Sequence, residues 1–137
     1  MERLWSDDEA SFEGEFVRFP PSWSWPKPAS RPRPPILFGG AASPSLFEHI
    51  AEYADGWLPI GGAGVAKELP ALHQAFERAG RDPATAKVVL YAVRPDPAKL
   101  AYYQTLGIEE VVFQLPPAGA DVVLPLLDHC AEVARAA

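Results

Sequence analysis

Residues 36–137 repeat one pattern four times: a short apolar run, a turn, and a longer segment with apolar residues at helical spacing. The predicted strands are residues 36–38, 57–60, 87–93 and 110–115, and the predicted helices are residues 44–54, 65–79, 97–106 and 121–137. The strands are apolar on both faces, which is typical of a parallel sheet covered by helices. The chain is therefore predicted to be an α/β protein, either a small doubly wound sheet or half of a (β/α)8 barrel.

The beginning of the chain lacks this alternation, and we assign residues 1–35 to a separate domain from residues 36–137. Leu4 and Trp5 are typical of the end of a helix, and a disordered terminus is the alternative. Residues 11–19 alternate apolar and polar side chains around a glycine, which predicts a β-hairpin.

A proline-rich segment at residues 20–35 follows the predicted hairpin and holds seven of the 16 prolines. Proline neither continues a helix nor donates to a β-ladder, so this segment is predicted to be an extended connection. Trp23 and Trp25 lie within it, and we expect them to cover apolar surface of the fold. The alternative is that the segment is a ligand for a proline-recognition domain.

Length, net charge and the lengths of apolar runs limit the partners and the location expected for the chain. The 137 residues are enough for a substantial core, and the net charge of −6 argues against nucleic acid or an anionic membrane as the main partner. There is no signal peptide and no apolar run long enough to span a bilayer, so the cytosol is the expected location.

Metal and nucleophile chemistry have little support in the sequence. The single cysteine, Cys130, excludes an intrachain disulfide and a cysteine metal site. The three histidines are at no metal-ligand spacing from one another, so we expect no metal. The residues expected to face inward from the last helix are Val123, Leu126, Leu127, Cys130 and Val133. Cys130 is therefore interpreted as core filler.

The turn after the first predicted strand is the most informative local feature. Gly39 and Gly40 allow the backbone to turn sharply and to lie close to a ligand, while Ser43 and Pro44 suit the N-cap and first position of a helix. Free amides and the positive end of a helix dipole then converge, as a phosphate requires. The alternative is an ordinary strand-to-helix turn.

Several short motifs occur in a fixed order along nearly the whole chain. They are Leu4-Trp5, FEGEF at 12–16, WPKP at 25–28, RPPILFGG at 33–40, YADGWLP at 53–59 and GRDP at 80–83. This ordered set resembles the bacterial luciferase-like monooxygenase superfamily, and is most similar to its deazaflavin (coenzyme F420)-dependent oxidoreductases. The resemblance favours the phosphate interpretation of the first glycine turn.

The resemblance also implies a complete (β/α)8 barrel, of which this chain looks like the carboxyl half only. Residues 36–137 would supply strands five to eight, and residues 1–35 the end of the preceding helix, the hairpin and the proline-rich insertion. Strands one to four would be missing. A half-barrel exposes two sheet edges and an apolar face, so we expect a homo-oligomer or a need for the missing amino-terminal half, and not a well-behaved monomer.

What the resemblance implies for the site is a cofactor with a phosphate-containing tail. The tail would lie on Gly39, Gly40, Ala41, Ala42 and Ser43. The expected cofactor is F420, with FMN as the alternative, and the expected reaction is hydride transfer between the deazaflavin and a small organic substrate. An FMN-dependent monooxygenase is the alternative within the class. A non-catalytic half-barrel that acts only by association is the alternative outside it.

No catalytic residue can be named, because the redox step in such enzymes belongs to the cofactor. The reactive face of a barrel lies at the carboxyl ends of its strands, where Tyr91 and Gln114 are candidates for a substrate pocket. Interior packing is the alternative for Tyr91. Arg94 is a candidate partner for an anionic ligand or a solvated loop residue, and Asp55 is interpreted as shaping a turn.

Overall fold

The computed structural model describes residues 1–108 and 110–136. The chain divides into two units, Met1–Pro35 and Ile36–Ala137. The predicted end of the last helix, at Ala137, lies outside the described residues.

A short helix and a strand pair form the Met1–Pro35 unit. Helix α1 is Glu2–Ser6, and strand β1 (Ala10–Glu13) pairs antiparallel with β2 (Arg18–Ser22). The Gly14 amide donates to the Val17 carbonyl oxygen at 3.0 Å and closes the turn between the strands. Strand β2 includes two prolines, which an edge strand tolerates because it need not donate at every position.

The tryptophans of the proline-rich segment are exposed. Trp23 is 79% exposed and Trp25 is 63% exposed, so the expectation that they cover apolar surface is wrong. The ammonium of Lys27 lies 5.0 Å from the centre of the Trp25 ring, and the same group donates to the Leu4 carbonyl oxygen at 3.0 Å. The Trp25 ring is therefore engaged by a cation, a contact that does not require burial in an apolar surface.

A parallel sheet and its connecting helices form the Ile36–Ala137 unit. Its strands are β3 (Leu37–Gly39), β4 (Gly56–Leu58), β5 (Lys87–Val93) and β6 (Glu110–Phe113). Its helices are α2 (Pro44–Tyr53), α3 (Val65–Arg78), α4 (Pro97–Thr105) and α5 (Ala120–Ala136), with a 3-10 turn at Pro83–Thr85. Strand and helix alternate as the sequence predicts.

Strand order argues against one of the two architectures left open by the sequence. The order is β3-β4-β5-β6, so each strand lies beside the next one in the chain. Right-handed crossovers between sequential neighbours place their helices on one face of the sheet. A doubly wound sheet needs a reversal in strand order to cover both faces. The order of the described strands therefore argues against the doubly wound alternative.

Two strands are shorter than predicted. Strand β4 ends at Leu58 because Pro59 has no N–H to donate, although Ile60 still forms an isolated parallel bridge with Tyr91. Strand β6 ends at Phe113, two residues before its predicted limit. Each of these strands therefore pairs over three or four residues.

The core lies between the sheet and its helices. The largest fully buried side chains are Phe47, Ile50, Leu72, Phe76 and Leu90. Trp57 of β4 is also buried, and its ring meets the ring of Phe47 edge to face with centroids 5.1 Å apart. Such aromatic pairs stabilise a fold beyond the area that they bury.

The opposite face of the sheet, which we call the open face, carries Leu58, Val89, Tyr91 and Val112, together with Ile60 beyond the end of β4. Side chains along a strand alternate between faces, and the neighbours of these residues pack in the helix-covered core. Ile60 is 80% exposed, Tyr91 42% and Val112 36%. This apolar face is therefore partly accessible to solvent.

The last helix buries less than the sequence pattern predicts. Cys130 and Val133 are buried as expected, but Leu126 and Leu127 are exposed, so their predicted inward orientation is wrong. Helix α5 packs beside α4, and contact with one neighbouring helix covers only a narrow stripe of its surface. None of the helices in the described residues has the length and apolar content needed to cross a bilayer.

Candidate functional site

The 39–43 turn, which consists of Gly39, Gly40, Ala41, Ala42 and Ser43, joins the carboxyl end of β3 to α2. Its residues are exposed, except for the half-buried Ala42. Gly40 has φ = +147°, a conformation that residues with a β-carbon rarely adopt. The glycine is therefore required by the backbone path of the turn.

Ser43 caps helix α2 as predicted. Its Oγ accepts a hydrogen bond from the Leu46 amide at 3.2 Å, and Pro44 occupies the first helical turn. A serine hydroxyl that accepts in this way still has a proton to donate. Within residues 1–108 and 110–136, the amides of Ala41, Ala42 and Ser43 have no hydrogen-bond partner. These donors are therefore available to an anion at the helix N-terminus.

Trp57 forms a hydrogen bond to the 39–43 turn, and it is not among the site residues predicted from the sequence. Its indole Nε1 donates to the Gly40 carbonyl oxygen at 2.9 Å. The ring itself is buried in β4, the strand next to β3. A buried tryptophan usually finds a partner for its N–H, but nothing in the sequence indicates that the partner is Gly40, 17 residues earlier in the chain.

A cleft of about 300 Å³ adjoins the turn. One wall is formed by Ala42, Ser43 and the first turn of α2, and the other is a stripe along α3 that includes Glu68 and Arg78. The cleft therefore has one acidic and one basic side chain on its α3 wall. Side chains do not cover the 39–43 turn where it borders the cleft.

A second glycine turn follows β4, at residues 61–64. Gly61 and Gly64 have φ values of +66° and +77°, and the Gly61 amide donates to the Tyr91 carbonyl oxygen at 2.6 Å. A β-carbon on Gly62 would overlap the hydroxyl of Tyr103, a buried residue of α4. Because β3 and β4 are parallel neighbours, the two glycine turns lie at the same end of the sheet.

The candidate pocket residues lie further along the sheet. Tyr91 is on the open face of β5, and Gln114 is an exposed residue just after β6. Strand β4 separates β5 from β3, and no hydrogen bond or ring contact in the described part of the chain joins Tyr91 or Gln114 to the 39–43 turn. Arg94 is exposed in the loop after β5. Tyr91, Gln114 and Arg94 thus lie near the carboxyl ends of β5 and β6, and the structure does not gather them with the 39–43 turn into one site.

Asp55 lies at the opposite end of the sheet from the 39–43 turn. Its Oδ2 accepts a hydrogen bond from the Ile36 amide at 2.7 Å, and the Asp55 amide donates to the Ile36 carbonyl oxygen at 2.8 Å. These contacts fix the starts of β3 and β4. Asp55 therefore has a structural role, in agreement with its interpretation as a turn-shaping residue.

Arg81, from the GRDP motif, has a structural role that the sequence did not reveal. Its Nη1 donates to the carbonyl oxygens of Ile50, Ala51 and Ala54 at 3.3, 3.0 and 2.6 Å. Its guanidinium lies 4.4 Å from the centre of the Phe76 ring. Arg81 therefore donates to carbonyl groups at the carboxyl end of α2 and at its C-cap, Ala54, where backbone carbonyl groups run out of helical partners. In the described residues, no group of three or more His, Cys, Asp or Glu side chains is placed to hold a metal.

Comparison with known proteins agrees with the motif pattern. The luciferase-like monooxygenase family model matches residues 1–99. An uncharacterized protein of Mycobacterium tuberculosis is 40% identical over 122 residues, which is 88% of this chain and 43% of that protein. The F420-dependent hydroxymycolic acid dehydrogenase of the same organism is 32% identical over 99 residues, which is 70% of this chain and 27% of that enzyme.

Among solved structures, an F420-dependent secondary alcohol dehydrogenase in complex with an F420-acetone adduct has a TM-score of 0.53 and 21% sequence identity. It aligns with 97% of this chain and 43% of its own length. The likeness shows a shared fold, a parallel sheet with connecting helices. The chain spans less than half the length of these relatives. On the family match over residues 1–99 and the 40% identical relative, the chain belongs to the luciferase-like monooxygenase family.

Proposed function

We propose that this chain is the carboxyl half of an F420-dependent oxidoreductase that transfers a hydride between the deazaflavin and a small organic substrate. The observation that carries the proposal is the exposed 39–43 turn, with three unpartnered amides among the described residues, at the start of α2. It occurs in a family whose members include F420-dependent enzymes similar to this chain.

The half-barrel interpretation is supported by strand order and length. Four parallel strands lie in sequential order, and a (β/α)8 barrel contains eight strands in that order. The chain covers 43% of the M. tuberculosis relative, which leaves enough of that protein for the other strands. The open face, with Tyr91 and Val112 partly exposed, would then become part of the barrel interior.

The turn fits the phosphate of an F420 or FMN tail. The amides of Ala41 and Ala42 and the amide and hydroxyl of Ser43 would donate to phosphate oxygens, assisted by the positive end of the ten-residue helix α2. The 39–43 turn itself contains no acidic residue that would repel the phosphate. When bound, the deazaflavin supplies the hydride chemistry, and the protein supplies binding and orientation.

The substrate would bind on the open face at the carboxyl ends of the strands. Tyr91 is exposed there, and Gln114 follows the neighbouring strand β6. Their separation from the 39–43 turn by β4 leaves room for a cofactor whose tail lies on the turn and whose ring lies over the sheet. In this arrangement both residues would contact substrate or the cofactor ring, while the turn contacts only the tail.

The proposal is tested by measuring cofactor binding with and without the missing half. The chain is titrated with F420 and with FMN, first alone and then after mixing with the part of the M. tuberculosis relative that the match leaves out. We expect binding of F420 to be tighter in the mixture than in either part alone. The proposal is abandoned if the mixture forms a folded complex that binds neither cofactor.

An FMN-dependent monooxygenase is the second candidate, and the description of the matching family model favours it. The same titration distinguishes the two, because preference for FMN over F420 in the mixture supports the monooxygenase. A non-catalytic half-barrel that acts by association is the third candidate. It is favoured by the exposed apolar residues of the open face, and it predicts a stable assembly without affinity for either cofactor.

A further inference from the structure

We propose that Trp57 is a positioning residue for the cofactor phosphate, because its indole N–H fixes the orientation of the Gly40–Ala41 peptide group. This inference rests on the proposed function, and it adds a residue that lies outside the 39–43 turn. Trp57 is 3% exposed in β4, the strand next to β3, so its side chain would act on a bound phosphate only through the backbone of the turn.

The peptide geometry connects the indole to the phosphate site. The Gly40 carbonyl and the Ala41 N–H belong to one planar trans peptide, in which the two groups point in opposite directions. Trp57 Nε1 holds the Gly40 carbonyl oxygen at 2.9 Å, toward the buried side. The Ala41 N–H is therefore directed away from the core, to the side on which Ala41 is exposed.

Both members of this contact are held in place. The Trp57 ring packs edge to face on Phe47, and Trp57 lies in register with Phe38 of β3 and with Val88 of β5. On the other side, Leu46 Cδ2 of α2 borders the turn, 3.4 Å from the position that a β-carbon on Gly40 would occupy. A phenylalanine at position 57 would fill most of the same volume but would not hold the carbonyl.

The test compares Trp57→Phe with the unaltered chain, each in the presence of the complementing half, using pairs of ligands with and without the phosphate-containing part. FMN is compared with riboflavin, and F420 with its deazaflavin core freed of the phosphate-containing tail. We expect Trp57→Phe to weaken binding of FMN and F420 by roughly five- to tenfold, about the contribution of one ordinary hydrogen bond, and to leave the phosphate-free ligands unchanged. Phe76→Leu, which removes a buried ring elsewhere in the core, is the matched control and should not alter the phosphate preference.

A second measurement does not depend on cofactor binding. Hydrogen exchange followed by NMR should show a protected indole N–H for Trp57 in the unaltered chain, and Trp57→Phe should shift the Ala41 and Ala42 amide resonances more than Phe76→Leu does. Rapid exchange of the Trp57 indole N–H overturns the inference, even if the variant fails to fold. An unchanged phosphate preference in folded Trp57→Phe also overturns it. If the unaltered chain binds none of the ligands in the presence of the complementing half, the proposed function fails, while protection of the indole still tests the Trp57 contact itself.

Discussion

At the scale of single residues, two kinds of residue determine the path of the backbone. Trp57 and Arg81 hold carbonyl groups at a turn and at a helix end, respectively. Glycines act by lacking a side chain, and Gly56 is the clearest case because a β-carbon there would overlap the Lys87 carbonyl oxygen. The sheet can pair β4 with β5 at this point only if position 56 has no β-carbon.

Gly56→Ala is therefore expected to destabilise the fold by about 2–4 kcal/mol, because the clash is with backbone that cannot rotate away. Urea unfolding followed by circular dichroism measures the change. Gly39→Ala is the matched control, since its β-carbon would lie 3.6 Å from the Leu58 carbonyl oxygen, an ordinary contact. Equal stability of the two variants would contradict the close approach at Gly56.

Arg81→Lys is expected to lower the free energy of unfolding by about 1–3 kcal/mol. Lysine keeps the charge but cannot reach three carbonyl groups of α2 with a planar fork while lying on the Phe76 ring. The exposed Arg94→Lys is the control. A loss no larger than that of the control, by the same unfolding measurement, would show that the Arg81 contacts are not stabilising.

At the scale of helices and strands, the sequence predicts well whether a segment is a helix or a strand. It predicts poorly how much of each element its neighbours cover. Strand β5 has its predicted limits because its β-branched and aromatic residues favour a strand regardless of context. The exposure of Leu126 and Leu127 could not be predicted, because apolar spacing shows which face of a helix is apolar but not how much of it a neighbour covers. The hydrogen bond from Trp57 to Gly40 joins β4 to the turn after β3, and spacing along the chain carries no information about it.

The candidate site likewise has local features that the sequence predicts and other features that depend on the fold. The cap formed by Ser43 and the glycine turn are local, and the sequence predicts both. The separation of Tyr91 from the turn depends on strand order, which became known only from the fold. That the turn binds a phosphate stays a prediction.

Ser43→Asp separates capping from phosphate binding. Aspartate caps a helix about as well as serine, so stability should change by less than about 0.5 kcal/mol. Its negative charge would repel a phosphate on the turn, so FMN should lose its advantage over riboflavin. Unfolding and ligand titrations are measured together, with Ser43→Ala as the reverse case, which should lose about 1 kcal/mol of stability without introducing repulsion. An undiminished preference for FMN in Ser43→Asp would place the phosphate elsewhere.

At the scale of the whole molecule, an apolar open face is the dominant feature of the Ile36–Ala137 unit. Ile60 and Val112 are exposed on it, and β3 and β6 lie at the ends of the four-stranded sheet. Strand edges and exposed apolar surface both favour association. The partner in our proposal is the missing half of the barrel, and a second copy of this chain is the expected substitute when that half is absent.

We therefore expect the isolated chain to associate as its concentration rises, and Ile60→Lys with Val112→Lys to shift it toward monomer. Both side chains are exposed, so the double variant should keep the folding stability of the chain. Sedimentation velocity over a range of concentrations measures association, and Thr105→Lys on the exposed surface of α4 is the control. A sharp monomeric boundary at all concentrations for the unaltered chain would contradict the expectation.

The most direct measurement is an NMR titration of the isotope-labelled chain with F420, in the presence of the complementing half. If the phosphate of the cofactor tail lies on the 39–43 turn, the amides of Ala41, Ala42 and Ser43 will show the largest saturable shifts, and the deazaflavin core without its tail will leave them unchanged. Saturable binding with its shifts elsewhere, and with the amides of the turn unmoved, would contradict the proposed site.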